Sequence, residues 1–172
     1  IHLTSYGLDL DGSATLADAL ECIHCVDGVE RIRMGSLEPT VVTDEFIARL
    51  RAMPKICRHF MLALQSGSDT VLARMGRKYD TAQYLQAVEK IRAAWPDAAF
   101  QTDVMTGFPG ETDEEFAQTK AFLKRVGYAR IHVFPYSERE GTRAAVMPGS
   151  VPKAVREARA GELIALGREM GR

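Results

Sequence analysis

The sequence has 172 residues, of which 46% are hydrophobic and 26% are charged, a composition that predicts one globular domain over residues 1–172. The 22 basic and 23 acidic residues nearly cancel, which excludes a basic field over the whole surface of the kind that binds nucleic acid. No apolar run reaches the roughly 20 residues of a membrane span. The three cysteines form no disulfide framework, so we expect a cytoplasmic protein without membrane contact.

Four short β-rich runs alternate with amphipathic stretches along the chain. The runs predict strands over residues 31–36, 59–65, 100–105 and 130–135. Helices are predicted to begin near Thr43, Ser68, Thr81 and Thr112, and a last one covers about residues 152–170. The helix after Thr81 ends at the Trp95-Pro96 step, and the next one ends at Gly127.

The alternation of strand and helix defines an α/β fold class with parallel strands. An open doubly wound sheet and a (β/α) barrel both satisfy the pattern. Glu38, Gln65, Ser66 and residues 103–107 fall at the carboxyl ends of predicted strands, the edge that carries chemistry in both folds. Residues 1–4 resemble the tail of a strand, and four strands are too few for a barrel. We therefore expect a fragment of a longer chain, and the pattern alone leaves the choice between the two folds open.

Residues 103–112 form the most specific motif. Asp103 is a carboxylate in an otherwise apolar strand, where burial without a partner is costly, and this favours a functional role. Gly107, Pro109 and Gly110 predict a tight turn, after which Thr112 caps a helix. The glycines are explained equally well by a plain strand-to-helix connection.

Residues 64–69 have the same form, with a strand end, a glycine turn and a cap at Ser68. Gln65 places a flexible amide at the strand end. Arg77 follows twelve residues later and could return to the same edge to bind a carboxylate through its two-pronged donor geometry. Taken alone, an arginine there is more often a solvated surface charge.

The cysteines give only weak support for a metal site. Cys22 and Cys25 form a single CxxC, and Cys57 lies two residues before His59, which is not the second pair of a zinc site. Cys22 also fits the apolar side of a predicted helix as a buried residue. We expect no metal ligands on this chain and find no acid–base triad among the histidines.

Taken in order, several motifs resemble the radical S-adenosylmethionine methylthiotransferases that act on tRNA. They cover residues 36–39, 64–69, 74–79, 102–112 and 136–137, so the resemblance spans nearly the whole chain. Residues 36–39 and 132–137 are most similar to the branch that modifies threonylcarbamoyladenosine next to the anticodon. Sister branches act on isopentenyladenosine or on a ribosomal-protein aspartate.

The resemblance implies a partial (β/α) barrel of the radical SAM type, with parallel strands, outer helices and its N-terminal strands missing. It also implies a site for S-adenosylmethionine at the strand ends. The implied cofactor-binding residues are Glu38, Gln65, Ser66, Arg77, Asp103, Met105, Gly107 and Phe134. Gln65 and Asp103 match positions that hold the ribose hydroxyls, and Arg77 and Glu38 match positions that meet the methionine carboxylate and amine. An amide with a carboxylate suits a diol, and one charge of each sign suits a zwitterion.

Met105 and the backbone around Phe134 match adenine-contacting strands, and Gly107 would let the backbone approach the nucleoside. The family implies that a 4Fe–4S cluster gives one electron to S-adenosylmethionine. The resulting 5′-deoxyadenosyl radical abstracts hydrogen from C2 of the substrate adenine, where sulfur and then a methyl group are added.

The sequence departs from the family at the cluster. Its CxxxCxxC motif, its N-terminal domain with a second cluster and its C-terminal RNA-binding domain have no counterpart among these residues. Iron–sulfur clusters need cysteine thiolates, so we expect the 4Fe–4S ligands to lie outside this chain and the chain alone to be inactive. The tRNA anticodon loop is then a partner of the full-length enzyme. The alternatives are another methylthiotransferase branch or a non-catalytic nucleotide-binding α/β module.

Overall fold

A computed structural model of the protein describes residues 3–7, 9–10 and 14–171. The α-helices of this part are α1 (Leu16–His24), α2 (Asp44–Arg51), α3 (Asp69–Arg74), α4 (Thr81–Ala94), α5 (Asp113–Val126) and α6 (Lys153–Met170). Its β-strands are β1 (Ser36–Leu37), β2 (His59–Leu62), β3 (Ala99–Thr106) and β4 (Arg130–Pro135). None of the helices in the described ranges is long and apolar enough to cross a membrane.

The strands form one parallel sheet in the order β1-β2-β3-β4. In its register, His59 of β2 lies opposite Ala99 of β3, and Asp103 of β3 lies opposite His132 of β4. The spatial order follows the chain without reversal, whereas a doubly wound sheet reverses at a switch point. The predicted α/β class is confirmed, and the strand order is that of part of a (β/α) barrel wall.

The two faces of the sheet differ in chemistry. On the outer face, Phe60, Phe100 and Val104 are at most 1% exposed and belong to the main hydrophobic core together with residues of the helices. Successive residues of a strand point to opposite faces. Asp103 and Met105 therefore lie on the inner face, where both are only partly buried. The inner face is the one that can receive a ligand.

The predicted helix ends are confirmed in most cases. Thr112 forms a capping box at the start of α5, and Gly127 ends that helix in the left-handed conformation. Asp80 caps α4 at Thr81. Ser68 occupies the cap position of α3, but its side chain makes no capping bond there, because the hydroxyl lies 3.0 Å from that of Thr70.

Two predicted strands are too long. In the segment 31–36, Ile32 makes only an isolated bridge to Ile56, and a ladder forms at Ser36–Leu37. The strand predicted over 59–65 ends at Leu62, and Gln65 rejoins the sheet as a single bridge to Val104.

The expected strand tail over residues 1–4 is wrong for Leu3 and Thr4. These residues belong to the 3-10 turn Leu3–Ser5, because Tyr6 N donates to Leu3 O at 3.1 Å. Ile1 and His2 lie outside the described residues.

Gly67 tests how closely the loop after β2 packs on α5. A Cβ atom at Gly67 would lie 2.8 Å from Thr119 Cα, which is backbone and cannot rotate away. We expect Gly67→Ala to lower the free energy of unfolding by about 1–3 kcal/mol, measured by urea denaturation. Gly161→Ala in α6 is the control, since a Cβ there meets nothing within 4 Å and should add up to about 1 kcal/mol. Equal urea midpoints of unfolding for the two variants would contradict the close packing of Gly67 on α5.

Candidate functional site

Gln65 is fixed beside β3 by two backbone hydrogen bonds. Its N–H donates to Asp103 O, and its carbonyl accepts from Met105 N, both at 2.9 Å. Its φ of 67° is positive, which is uncommon for a residue other than glycine and costs free energy that the surroundings must supply. The pairing brings Gln65 next to Asp103 and Met105, as the sequence predicted.

Buried hydroxyl groups support the chain where β2 leaves the ladder. Thr102 Oγ1 donates to Leu62 O at 2.6 Å and accepts from Leu64 N at 3.0 Å. Tyr79 Oη donates to Ala63 O at 2.8 Å. Because buried backbone groups need partners, these side chains take over the role of the missing ladder bonds. The sequence analysis missed them, although a threonine on the buried face of β3 was a visible signal.

Asp103 has unused hydrogen-bonding capacity. Its side chain is 24% exposed, its Oδ1 is buried without a hydrogen-bond partner, and His132 Nδ1 lies 3.6 Å from that oxygen. This distance is too long for a hydrogen bond. Burial raises the pKa of the Asp103 carboxyl, and the nearby His132 opposes that shift. A half-buried carboxyl of this kind fits a ligand that donates from a hydroxyl.

An apolar surface lies beside Asp103. Met105 of β3 lies opposite Phe134 of β4 in the register, and both share the inner face with Asp103. Phe134 is 51% exposed, while Met105 packs against the small buried cluster of Val71, Phe108 and Tyr136. An exposed aromatic ring next to a thioether can receive the face of a flat heterocycle.

Two opposite charges meet beyond the end of β1. Arg77 Nη1 lies 3.6 Å from Glu38 Oε1, and both side chains are partly exposed. At this distance the pair is an electrostatic contact without a direct hydrogen bond. Arg77 therefore lies at the strand-end edge together with Glu38.

Ser66 and Gly107 have structural partners instead. Ser66 Oγ lies 3.3 Å from Thr119 Oγ1 of α5, and the residue is fully buried on the helix side. Gly107 N donates to Glu111 Oε1 at 2.8 Å, and a Cβ at Gly107 would lie 2.3 Å from Arg156 Cγ of α6. Packing explains both residues, so their roles as ligand contacts rest on the resemblance alone.

A buried ion pair holds the turn after β3, and the sequence analysis did not find it. Arg159 Nη1 lies 2.6 Å from Glu111 Oε1, and these side chains are 7% and 2% exposed. Burial raises the pKa of the Glu111 carboxyl, while the bonds from Gly107 and Arg159 act in the opposite direction. The signal was Arg159 itself, four residues before Leu163 on the buried side of α6.

The cysteines lie away from this site. Cys57 lies two residues before β2, at the amino edge of the sheet. Lys55 Nζ donates to His24 O, which places the end of α1 at the same edge. Cys22 and Cys25 are exposed, so the expected burial of Cys22 is wrong, because it faces away from the packed side of α1. These thiols do not fit a cluster beside Asp103. The described ranges contain no group of three or more His, Cys, Asp or Glu that could hold a metal ion.

The model of the Radical SAM superfamily matches residues 8–123. The match includes β1 to β3, with Glu38, Gln65 and Asp103. The chain belongs to the radical SAM superfamily.

The curated relatives confirm the resemblance to tRNA methylthiotransferases. The tRNA-2-methylthio-N(6)-dimethylallyladenosine synthase of Thermoanaerobacter sp. (strain X514) is 41% identical over 165 residues, covering 96% of this chain and 35% of the relative. The threonylcarbamoyladenosine tRNA methylthiotransferase of Thermotoga maritima is 40% identical over 159 residues, which cover 92% of this chain and 36% of the relative. The chain thus spans about a third of the length of these relatives.

Two solved structures share the fold. Coproporphyrinogen III oxidase (HemN) from Escherichia coli, a radical SAM enzyme, superposes with a TM-score of 0.67 at 19% identity, covering 82% of this chain and 32% of that chain. The radical S-adenosylmethionine methyltransferase TsrM from Kitasatospora setae superposes with a TM-score of 0.57 at 16% identity, and the match covers 75% of this chain and 26% of that chain. Both support the partial barrel.

Asp103→Asn tests the environment of the carboxyl. Because burial raises the pKa of Asp103, its ionised form destabilises the folded state at neutral pH, and the penalty disappears as pH falls through the raised value toward about 3.9, its ordinary pKa. We expect Asp103→Asn to raise the free energy of unfolding slightly, by less than about 1 kcal/mol at pH 7.5. The gain should shrink toward pH 4.5 in urea titrations.

The control for this measurement is Asp27→Asn, which changes an exposed carboxylate after α1 and should leave the unfolding curves unaltered. A loss of stability in Asp103→Asn at pH 7.5 would mean that the Asp103 carboxylate stabilises the folded chain.

Proposed function

We propose that this chain supplies the S-adenosylmethionine-binding wall of a radical tRNA methylthiotransferase. The observation that carries the proposal is the half-buried Asp103 carboxyl, which has no side-chain hydrogen bond in the described part of the chain. It lies beside Gln65 and the Met105–Phe134 surface. The membership of the radical SAM superfamily and the relatives near 40% identity support the same cofactor.

The inner face offers complementary partners for a nucleoside. Asp103 can accept from a ribose hydroxyl, and the amide of Gln65 can donate to or accept from the neighbouring one. Phe134 and Met105 can cover the adenine ring. The apolar contact excludes water on one side of the nucleoside, which strengthens the polar contacts on the other side.

Glu38 and Arg77 suit the amino-acid end of the cofactor. The carboxylate of Glu38 can bind the ammonium group, and the guanidinium of Arg77 can bind the methionine carboxylate through two parallel N–H groups. Arg77 Nη1 and Glu38 Oε1 are 3.6 Å apart, which is longer than a hydrogen bond. Rearrangement toward a bound zwitterion therefore breaks no short hydrogen bond between them.

The chain's own part in the reaction is to bind and orient the cofactor. S-adenosylmethionine, when bound with a reduced 4Fe–4S cluster, supplies a hydrogen-abstracting radical. The cluster is proposed to be held outside this chain, because Cys57 and the end of α1 lie at the opposite edge of the sheet from Asp103. The side chains of the inner face keep the nucleoside at the strand ends, where the substrate base must approach.

The proposed substrate is threonylcarbamoyladenosine in the tRNA anticodon loop, with C2 of the adenine as the site of methylthiolation. Residues 36–39 and 132–137 favour this branch. Against it, most of the relatives are dimethylallyladenosine synthases, at 38–42% identity, and they support the sister branch. A tRNA substrate also favours a cytoplasmic enzyme. A non-catalytic nucleotide-binding module would use the same inner face, but it would carry no cluster in the complete protein.

Cofactor binding by the complete enzyme tests the inner-face residues. We expect Asp103→Asn and Gln65→Ala each to weaken S-adenosylmethionine binding by about 1–3 kcal/mol, because each change leaves a buried polar group without its partner. Arg77→Lys should also weaken binding, since a point charge cannot make the two-pronged contact. Equilibrium dialysis measures all three. Gln86→Ala, on the exposed side of α4, is the control and should bind normally. Unchanged affinity in the first two variants would remove them from the site.

Reconstitution of the 172 residues alone tests the placement of the cluster. We expect no 4Fe–4S signal in optical or electron paramagnetic resonance spectra after anaerobic treatment with iron and sulfide, and no 5′-deoxyadenosine. The reason is that the thiols lie at the wrong edge of the sheet. A stoichiometric cluster with 5′-deoxyadenosine formation would refute the proposed placement and show that Cys22, Cys25 and Cys57 ligate it.

Nucleoside analysis of tRNA tests the substrate branch. In a strain that lacks the complete gene, we expect threonylcarbamoyladenosine to lose its methylthio group, while dimethylallyladenosine keeps its own. Mass spectrometry of digested tRNA distinguishes the two nucleosides. The opposite pattern would assign the enzyme to the dimethylallyladenosine branch. If both nucleosides kept their methylthio groups, both substrate branches would be excluded.

A further inference from the structure

A row of polar side chains crosses the inner face of the sheet and ends at Asp103. Arg33 Nη2 lies 3.1 Å from His59 Nε2, and the same nitrogen of His59 lies 3.2 Å from Gln101 Oε1. Gln101 Nε2 lies 3.1 Å from His132 Nε2. His132 Nδ1 then faces Asp103 Oδ1 at 3.6 Å. The row links an exposed arginine to the carboxyl at the cofactor site.

The arginine sets the direction of the hydrogen bonds. A guanidinium can only donate, so His59 Nε2 accepts from Arg33 and carries no proton. Burial, followed by the charge of Arg33, lowers the pKa of His59, which agrees with a neutral ring. The amide oxygen of Gln101 gains nothing by facing this nitrogen. The structure has Oε1 of Gln101 toward His59 and Nε2 toward His132. A half-turn of the amide exchanges the two atoms without moving the rest of the side chain, and this opposite orientation, with the NH₂ group toward His59 and the oxygen toward His132, suits an unprotonated His59 Nε2.

This arrangement determines where the protons of His132 lie. An amide oxygen beside His132 Nε2 requires a proton on that nitrogen. The other nitrogen, Nδ1, faces the buried Oδ1 of Asp103. Two lone pairs would repel each other there, so one of the two atoms carries a proton, although 3.6 Å is longer than a hydrogen bond. The proton is carried either by a charged imidazole next to a carboxylate or by a protonated carboxyl next to a neutral imidazole.

We propose that His132 is a positioning residue for Asp103, and that one proton, on Nδ1 or on Oδ1, keeps these two atoms facing each other so that the second carboxyl oxygen stays available to the cofactor ribose. The proposal rests on the proposed function of the inner face and adds His132, Gln101 and Arg33 to it. In both forms the pair is electrically neutral overall, which limits the cost of keeping the carboxyl half-buried. Gln101, only 8% exposed, transmits the constraint from Arg33.

The protonation of His132 is measured by nuclear magnetic resonance on the complete enzyme labelled with ¹⁵N-histidine. The His132 signals are identified by their loss in His132→Asn. We expect Nε2 to be protonated, and we expect Arg33→Met to shift His132 toward the form with its proton on Nδ1, because the donor that directs the row is gone. A wild-type ring protonated on Nδ1 alone, or His132 signals unaltered by Arg33→Met, would overturn the proposal.

Cofactor affinity tests the positioning role. In His132→Asn, the amide nitrogen can replace Nδ1 as a donor to Asp103, so we expect affinity for S-adenosylmethionine within about twofold of the wild type. His132→Leu has no donor and should bind about fivefold to tenfold more weakly. Equal affinity of His132→Leu and the wild type, or equal weakness of both variants, would reduce His132 to a packing role.

Asp103→Asn, measured in parallel, separates the two proposals. If its affinity is normal, the proposed cofactor site is wrong whatever His132 does. If it is weakened while His132→Leu binds normally, the cofactor site stands and only the positioning role of His132 fails.

Discussion

The two backbone hydrogen bonds between Gln65 and β3 are the constraint on which the candidate site depends. They flank Asp103, one through its own carbonyl and one through the N–H of Met105. They hold Gln65 in a left-handed conformation that an unconstrained chain would avoid. Without this pairing the loop after β2 would have no fixed relation to β3, and the amide and carboxylate that suit a ribose would not converge.

The packing of the outer face makes that constraint possible. Thr102 lies between Phe100 and Val104 on the buried side of β3, and its hydroxyl binds backbone atoms on both sides of the point where β2 ends. Gly67 then lets the loop lie against Thr119 of α5. One strand therefore serves two purposes, because its outer side chains fix the loop while its inner side chains form the site.

The α/β class and several helix ends could be predicted from the sequence, because apolar spacing and caps such as Thr112 are local signals. The ends of β1 and β2 could not, because the ladder stops where partners from distant parts of the chain bind the backbone instead. The same limit applies to Ser66. Its position at a strand end suggested the site, but Thr119, 53 residues away, draws its hydroxyl to the helix side.

The residues that the resemblance assigns to the site do not all lie in the same place in the structure. Asp103, Gln65, Met105 and Phe134 share one region, and Arg77 reaches Glu38 at the neighbouring strand end. The polar row from Arg33 to His132 has no signature along the chain, because its members come from separate strands and meet only through the register of the sheet.

The most direct measurement is a crystal structure of the complete enzyme with S-adenosylmethionine. We predict a ribose oxygen within about 3.2 Å of an Asp103 carboxyl oxygen, with the adenine ring against Phe134. A cofactor bound elsewhere, with Asp103 hydrogen-bonded only to protein groups, would contradict the assignment of the inner face as the cofactor site.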